Sequence, residues 1–535
     1  MAEPPPDALD RLRDAYACAG SPSLELGALV LDGAARPEAR VRVPLSMLNR
    51  HGLVAGATGT GKTKTLQLIA EQLSEAGVPV FLADIKGDVS GLGAPGAASE
   101  RVAARAAETG TDWQAQGFPC EFLALGGLGT GVPVRATVTS FGPVLLSKVL
   151  GLNETQESSL GLVFHYADRS GLPLLDLKDL RAVITHLTSA QGKGDLEGLG
   201  GLSKATAGVV LRELVTLESS GGDVFFGEPE FDTADLLRTT ADGRGVLSVM
   251  GLTALQDRPQ LFSTFLMWLL ADLFHDLPEV GDVEQPELVF FLDEAHLLFD
   301  DASEAFLDAI ARTVRLIRSK GVGVFFVTQT PSDVPGEVLA QLGNRVQHAL
   351  RAFTPDDDAA LKATVRTFPK SEVYDLEELL PALGTGEAVV TVLSQEGVPT
   401  PVAWTRLRPP RSLMAQLDPA QQQAAVAASE LLAEYGTPVD RDSAYERLLA
   451  RVAPPEPAPA PPQRQERDER RDPRQESAQE PEQERGALAA VLGSPLLRSF
   501  ARSAASAAGR EITRSLFGTA TRRRRSSPRR RSTGW

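Results

Sequence analysis

The pattern of apolar and polar positions near the start of the chain predicts a strand, a glycine-rich turn, a helix and a second strand. The apolar stretch HGLVAG leads into the turn GATGTGKT at residues 56–63. In the next segment, KTKTLQLIAEQLSEAG, four apolar residues fall on one helical face: Leu66, Ile69, Ala70 and Leu73. Gly77 is a typical helix stop, and VPVFLADIKGD follows as a buried strand ending in polar residues. Such a βαβ unit predicts an α/β fold, with a parallel sheet and a ligand site at the carboxyl ends of its strands.

Later segments continue this pattern after a long interruption. The stretches ELVFFLDE, GVGVFFVTQTP, NRVQHALRAF and GEAVVTVLS indicate further strands, whereas the chain between them and the first unit has a mostly helical pattern with Gly-rich breaks. We therefore divide the chain into an N-terminal extension with short strands (1–43), the first part of the core (44–94), a mostly helical insertion (95–285), the second part of the core with C-terminal helices (286–450), a disordered linker rich in Pro, Gln, Glu and Arg (451–485) and a helical, Arg-rich tail (486–535).

One helix of the insertion is apolar enough to raise the question of a membrane. It lies in RPQLFSTFLMWLLADLFHDL, but Asp257, Arg258 and Asp272 bound or interrupt it, which favours a buried helix. The sequence has no uninterrupted apolar run of eighteen residues, and MAEPPPDALDRLRD lacks the basic and apolar regions of a signal peptide. We expect a cytoplasmic protein without a membrane span.

The charge distribution is uneven. The formal net charge of the 535 residues is -16, but residues 498–535 contain eleven arginines and one acid, Glu511. That end is therefore near +10 and the remainder near -26. An acidic exterior does not exclude DNA binding through a few basic loops, so net charge decides little. The basic tail itself is either a solvated segment or a contact with nucleic acid or a membrane surface.

The turn at residues 56–63 satisfies the P-loop pattern G-x-x-x-x-G-K-[ST]. Its glycines let backbone N–H groups surround a phosphate, the following helix N-terminus adds a positive dipole, Lys62 reaches the β and γ oxygens, and Thr63 can ligate Mg²⁺. The predicted nucleotide-binding residues are Gly56, Ala57, Thr58, Gly59, Thr60, Gly61, Lys62, Thr63 and Lys64. The alternative is a Gly-rich turn with a surface lysine.

A second motif, LVFFLDEAH, narrows the kind of nucleotide enzyme. Asp293 follows five apolar residues, so it sits at a strand end where its carboxylate can hold the Mg²⁺ water shell. Glu294 beside it can polarise an attacking water, which indicates ATP hydrolysis rather than binding alone. The alternative is that this pair caps the next helix.

Four further residues stand at strand or helix ends. Asp84 ends the strand that follows the P-loop helix, and Gln329 ends VFFVTQ, where its amide could sense the γ-phosphate. Arg315 and Arg318 precede that strand and could act in trans on a neighbouring subunit. An arginine near a helix C-terminus can also serve only the helix dipole.

With these residues placed, the chain resembles the HerA-like branch of the FtsK and HerA superfamily of P-loop ATPases, especially its short bacterial members. The motifs GATGTGKT, FLADIKGDVSGL, FLDEAHLLF and RLIRSKGVGVFFVTQTPSDVP occur in that order, followed by LGNRVQHALRAF. The resemblance implies a RecA-like core in a hexameric ring, with ATP at subunit interfaces and double-stranded DNA in the channel. In the family's pattern Asp84, Glu294, Gln329 and Arg318 match the acidic, catalytic, sensor and finger residues.

Two departures and one rival motif limit the resemblance. Longer HerA proteins carry an N-terminal β-barrel that docks a nuclease, and about fifty residues before the P-loop are too few for a full barrel, so a nuclease partner does not follow. The C-terminal tail is likewise outside the shared motor core. The letters DEAH suggest a superfamily 2 helicase, but the SAT-like and Gln/Arg-rich motifs of that class are missing from the sequence.

The sequence therefore predicts a Mg²⁺-dependent ATP hydrolase that forms a ring, most simply a homo-hexamer, and translocates on or remodels double-stranded DNA. A nucleotide-controlled scaffold or assembly ATPase acting on protein partners is the alternative. A conjugation-type motor of the same superfamily would call for a membrane segment or a substrate-docking domain, and the sequence suggests neither.

Overall fold

The computed structural model describes residues 7–18, 20–196, 200–255, 258–281, 283–299, 304–439 and 441–452. Its strands are β1 (Ser23–Leu31), β2 (Ala34–Pro44), β3 (Gly52–Ala55), β4 (Val80–Asp84), β5 (Cys120–Leu125), β6 (Val132–Val134), β7 (Leu247–Gly251), β8 (Leu288–Leu292), β9 (Val322–Thr328), β10 (Asn344–Gln347), β11 (Glu387–Thr391) and β12 (Ala403–Leu407). The predicted disordered linker and Arg-rich tail lie outside the described residues, apart from the linker's first two positions.

The helices lie between these strands and at both ends of the described chain. They are α1 (Ala8–Ala15), α2 (Lys62–Glu75), α3 (Glu100–Thr109), α4 (Val138–Val149), α5 (Glu154–Arg169), α6 (Leu177–Thr188), α7 (Lys204–Leu217), α8 (Asp223–Phe225), α9 (Pro259–Asp276), α10 (Glu304–Ile317), α11 (Gly336–Leu339), α12 (Pro355–Val365), α13 (Leu376–Ala382), α14 (Pro419–Ala427), α15 (Glu430–Tyr435) and α16 (Ala444–Val452). Five of the described helices, α4 to α8, follow one another between β6 and β7.

The described strands form one sheet in the order β2-β1-β12-β11-β10-β3-β9-β8-β4-β7-β5-β6. Every neighbouring pair from β10 to β6 is parallel, and every pair from β2 to β10 is antiparallel. The parallel part contains the strand that leads into the P-loop, β3, between β10 and β9. The predicted α/β fold with a parallel core sheet is thus confirmed.

Two hydrophobic clusters cover the two faces of the sheet. Along β4, the side chains of Val80 and Leu82 join one cluster with the apolar face of α2, and Phe81 joins the other with α9. The alternation follows from the pleat, because successive side chains of a strand point to opposite faces. The predicted apolar residues of α2 are all buried, and the helix ends two residues before Gly77.

The apolar stretch of the insertion forms α9, which is packed in the protein core. Its side chains at Leu261, Phe265 and Trp268 are each no more than 1% exposed. Within the described residues, none of the helices combines the length and hydropathy that a membrane crossing requires. Burial in a protein core therefore accounts for the hydropathy of this segment.

Two of the sequence-based divisions look different in three dimensions. Residues 95–285, predicted to be a mostly helical insertion, contain seven helices in their described part but also β5, β6 and β7, which extend the core sheet beyond β4. These strands are three to six residues long, too short for periodicity to separate them from buried helix segments. At the other end of the sheet, β1 and β2 form an antiparallel hairpin that joins the core through β12.

Candidate functional site

The candidate site is assembled at the carboxyl edge of the parallel strands. β3 ends in the P-loop, β4 ends at Asp84, β8 is followed by Asp293, and β9 is followed by Gln329. The strands are in register here: Ala55 is opposite Thr328, and Leu292 is opposite Ala83 and Phe326. Parallel strands with matched ends bring segments far apart in the sequence to one edge, as the βαβ pattern predicted.

The P-loop has the backbone shape that its glycines predict. Gly56, Gly59 and Gly61 have φ angles of 152°, 77° and 118°, a region that side chains with a Cβ rarely enter. The helix α2 begins directly after Gly61, and the Lys62 ammonium donates hydrogen bonds to the carbonyls of Gly56 (2.6 Å) and Ala57 (3.3 Å). The loop therefore curls around its own lysine at a helix N-terminus.

The remaining P-loop positions differ in exposure. Thr58 is exposed, whereas Thr60 is buried and its hydroxyl donates to the Ala57 carbonyl at 2.7 Å. Thr63 and Lys64, in the first turn of α2, are both half-buried. Burial lowers the pKa of Lys64, against the opposing charges of two nearby aspartates. The exposed tip and the partly open first helical turn leave this end of the loop accessible.

A buried histidine packs against the P-loop and the helix that follows it, and the sequence did not indicate this residue. His348 follows β10, and its Nε2 lies 2.8 Å from the Thr65 hydroxyl in α2. Burial, reinforced by the charge of Lys62, lowers the pKa of His348 to about 4, so its ring is neutral. His348 lies within NRVQHALRAF, a stretch predicted to be a strand, and that pattern carries no signal of a role for its side chain.

Backbone hydrogen bonds tie the same loop to its neighbours. The Gly56 N–H donates to the carbonyls of Thr328 (3.2 Å) and Gln329 (3.0 Å), and the Ala57 N–H donates to that of Ala349 (2.8 Å). The Thr60 carbonyl accepts from the Gly386 N–H at 3.0 Å, just before β11. Strands on both sides of β3 thus fix the loop.

The acidic pair lies two strands from the P-loop and is buried. Asp293 and Glu294 are 4% and 5% exposed. Burial, followed by the charge of Glu294, raises the pKa of Asp293 to about 6. The Asp293 Oδ2 atom has no hydrogen-bond partner among the described residues, and a buried polar atom of this kind commonly marks a functional or ligand-binding group.

Glu294 has an unusual backbone conformation for a non-glycine residue. Its φ and ψ are 46° and 49°, in the left-handed region, just before a short 3₁₀ helix at Ala295–Leu298. Its side chain makes no cap hydrogen bond to that helix, which argues against the alternative that the acidic pair serves as a cap. The carboxylate instead pairs with the ammonium of Lys86, which the sequence analysis did not select.

Asp84 uses its carboxylate to shape the loop after β4. One oxygen accepts from the N–H groups of Gly87 (2.7 Å) and Asp88 (3.1 Å), and the other accepts from that of Val89 (3.1 Å). Burial raises the pKa of Asp84 to about 6. In this arrangement, Asp84 holds the loop that carries Lys86.

Gln329 is exposed directly after β9, beside the P-loop it contacts through its carbonyl. The turn that follows is held by Asp333, whose carboxylate accepts from the hydroxyls of Thr328 and Thr330, both at 2.6 Å. The side chain of Gln329 is therefore presented on a braced turn at the edge where the P-loop lies.

The two candidate arginines lie at the opposite edge of the sheet. Arg315 is in the last turn of α10 and Arg318 is in the 3₁₀ turn before β9, and both side chains are exposed. The charge of Arg318 contributes, after burial, to a pKa of about 4 for His51, which precedes β3. The length of β9, roughly 20 Å at 3.3 Å per residue, separates this turn from Gln329. The structure does not bring either arginine to its own P-loop.

The chain is similar to one protein family and to several solved structures. The family model described as Helicase HerA-like C-terminal matches residues 30–525. Two solved structures of the plasmid coupling protein TrwB, one with ADP and Mg²⁺ and one with the ATP analogue ADPNP, have TM-scores of 0.50 and 17% identity, over 75% of this chain and 98% of theirs. VirB4 of Thermoanaerobacter pseudethanolicus has a TM-score of 0.46 and 15% identity, over 76% of this chain and 99% of its own.

No curated protein matches the chain. The identities to the solved structures are low, so the TrwB likeness supports the fold alone. The family match extends over nearly the whole sequence, including the P-loop, the acidic pair and the candidate arginines. The chain therefore belongs to the helicase HerA-like C-terminal family, within the FtsK and HerA superfamily of P-loop ATPases.

Proposed function

We propose that this ATPase is a ring motor that uses ATP hydrolysis to translocate on or remodel double-stranded DNA. The observation that carries the proposal is the division of the catalytic groups between two edges of one sheet. The P-loop and the acidic pair share the carboxyl edge, and Arg318 lies at the amino edge. A site of this kind is complete only when a second copy supplies its arginine.

The residues present fit a magnesium–ATP complex. Three glycines with positive φ turn the P-loop's N–H groups toward a phosphate, and the carboxylate of Asp293 has a buried oxygen without a partner in the described part of the chain. Thr63 and Asp293 would hold Mg²⁺, which supplies charge neutralisation of the phosphate oxygens when it is bound. Mg²⁺ in nucleotide sites is commonly held by one or two protein ligands together with substrate phosphates and water, which is the coordination proposed here.

The side chains then divide the work of hydrolysis. The Lys62 ammonium and the P-loop N–H groups hold the β- and γ-phosphates, and residues 56–64 enclose them. Glu294 orients the attacking water and accepts its proton. Gln329 contacts the γ-phosphate from the braced turn after β9. Asp84 acts indirectly, by shaping the loop after β4, because its carboxylate is already engaged by three backbone N–H groups.

Arg318 is the preferred trans-acting residue, with Arg315 one helical turn before it as the second candidate. Either guanidinium would stabilise the charge that develops on the transferred phosphoryl group of the neighbouring subunit. Head-to-tail contacts of this kind close into rings, and a homo-hexamer is the expected state from the family. Duplex DNA in the channel is likewise an expectation from the family.

The proposal is tested by measuring ATP turnover and particle mass with and without duplex DNA. We expect DNA to raise kcat at low salt and to lose this effect as salt increases, because phosphate contacts are screened. A ring that forms with ATP but shows no response to DNA at any salt concentration would instead support a nucleotide-controlled scaffold that acts on protein partners.

A further inference from the structure

A second lysine enters the candidate site beside the acidic pair. Lys86 lies two residues after the end of β4, and its ammonium pairs with the Oε1 atom of Glu294. The side chain of Glu294 is 7% exposed and that of Lys86 is 43% exposed, so a partly exposed cation pairs with a buried carboxylate. The residues proposed above to handle ATP do not include it.

The loop that carries Lys86 is held firmly from both sides. The Asp84 carboxylate accepts the N–H groups of the three residues after Lys86, at 2.7 to 3.1 Å. The Lys86 carbonyl accepts a hydrogen bond from the side-chain amide of Gln416 at 3.1 Å. Because its backbone is fixed, Lys86 presents its ammonium from a defined point rather than from a loose surface loop.

The two oxygens of the Glu294 carboxylate are in different situations. Lys86 engages Oε1, while Oε2 is buried, 3.3 Å from Nδ1 of His296, and has no hydrogen-bond partner among the described residues. The left-handed backbone of Glu294 is unfavourable for a non-glycine residue, so its surroundings must hold it in place. The contact with Lys86 is one such restraint, and it leaves the second oxygen beside the His296 ring without a hydrogen bond from the described residues.

We propose that Lys86 is a positioning residue for ATP hydrolysis, which grips one oxygen of Glu294 and so directs the other toward the attacking water. A charge-assisted hydrogen bond fixes direction as well as distance, which a catalytic carboxylate needs. The inference rests on the proposed role of Glu294 as the residue that orients water. In this arrangement the role of Glu294 depends on a cation from the loop after β4.

The test uses full-length Lys86→Met and Lys86→Arg, with Glu294→Gln and the double variant Lys86→Met/Glu294→Gln. Lys148→Met is the matched control, because Lys148 makes a lysine–glutamate pair of 2.7 Å with Glu157 on α4 and α5, outside the site. Methionine keeps the apolar stem of lysine and removes the charge. ATP affinity is measured with a non-hydrolysable analogue, and kcat and KM are measured from steady-state turnover.

We expect Lys86→Met to lower kcat by about 10- to 100-fold while KM and analogue affinity change by less than about threefold, because Lys86 acts through Glu294. Arginine should restore part of kcat, and Lys148→Met should behave as the wild type. In the Glu294→Gln background, Lys86→Met should have little further effect, since residues that act as one unit are not additive.

Three outcomes would overturn the inference: an unchanged or raised kcat in Lys86→Met, a tenfold or greater loss of analogue affinity, or fully additive effects in the double variant. The first would mean that the pair is incidental or restrains Glu294, and the second that Lys86 binds nucleotide directly. If Glu294→Gln itself keeps near wild-type turnover, the proposed role of Glu294 fails instead, so the two failures are distinguishable.

Discussion

Adding one methyl group to the P-loop at Gly56 should disrupt both the loop and nucleotide binding. The φ angle of Gly56 is 152°, and a Cβ at this position would lie 2.4 Å from the Cβ of His348 and 3.1 Å from the Thr60 hydroxyl oxygen. Real Cβ atoms do not approach another carbon to 2.4 Å, so the Gly56→Ala variant must move the loop or the histidine.

The histidine has little room to move. The backbone N–H of His348 donates to the Ala55 carbonyl at 2.7 Å, and its ring Nε2 is hydrogen-bonded with the Thr65 hydroxyl. Overpacking a tight interior costs about 1–3 kcal/mol, and a strained backbone at a non-glycine residue costs a further 1–3 kcal/mol, roughly. We therefore expect Gly56→Ala to lower the free energy of unfolding by about 2–6 kcal/mol, or to relieve the strain by deforming the phosphate-binding loop.

Gly59→Ala provides the matched comparison within the same loop. Gly59 also has a positive φ, 77°, but apart from its two chain neighbours no heavy atom of the described residues lies within 4 Å of a Cβ placed there. Only backbone strain applies, about 1–2 kcal/mol. Urea denaturation gives the stabilities, and titration with a non-hydrolysable ATP analogue gives the affinities. If Gly56→Ala were as stable as Gly59→Ala and bound the analogue equally well, the packing of His348 under the P-loop would be refuted.

Three further predictions concern single side chains. Glu294→Gln should keep analogue binding and assembly but lower kcat by at least about 100-fold, and near wild-type turnover would refute its role. Thr65→Val removes the buried hydrogen-bond partner of His348 Nε2, which should destabilise the packing beneath the P-loop by about 1–3 kcal/mol. We expect this to raise the KM for ATP, and an unchanged KM would contradict the prediction. Burial raises the pKa of Glu71 to about 7, so its folded form binds a proton that the unfolded chain has lost between about pH 4.5 and 7. Its stabilising effect is therefore lost as the pH rises through 7, and the stability deficit of Glu71→Gln against the wild type should be smaller at pH 8 than at pH 5 in urea denaturation. An equal deficit at both values would oppose this.

The features of the site that could be predicted from the sequence are those that lie in short, contiguous motifs. The P-loop glycines and Lys62 form a contiguous motif, and the acidic pair directly follows a buried strand. Parallel strands put such ends on one edge, so the convergence of the P-loop with Asp293 could be expected before any coordinates. The family's pattern also indicated Arg318 as a residue away from its own phosphate loop.

The remaining features depend on contacts that no local pattern encodes. Lys86 and Glu294 are separated by 208 residues, and Thr65 and His348 by 283. Only the folded sheet brings them together. Asp84 looks like a site carboxylate in sequence, yet the turn after β4 uses both of its oxygens. The short strands β5, β6 and β7 were hidden for a different reason, since brief apolar runs fit a helix as well as a strand.

Subunit mixing tests the central claim most directly, namely that one ATP site is shared between two copies of the chain. Lys62→Ala should inactivate the phosphate site but leave its arginine intact, and Arg318→Ala should do the reverse, so each variant alone should be nearly inactive. In an equal mixture, roughly a quarter of the interfaces of a randomly assembled ring would pair an intact P-loop with an intact arginine. We predict ATP turnover near that fraction of the wild-type rate. Mixed rings, verified by mass, that remain as inactive as either variant alone would contradict the account.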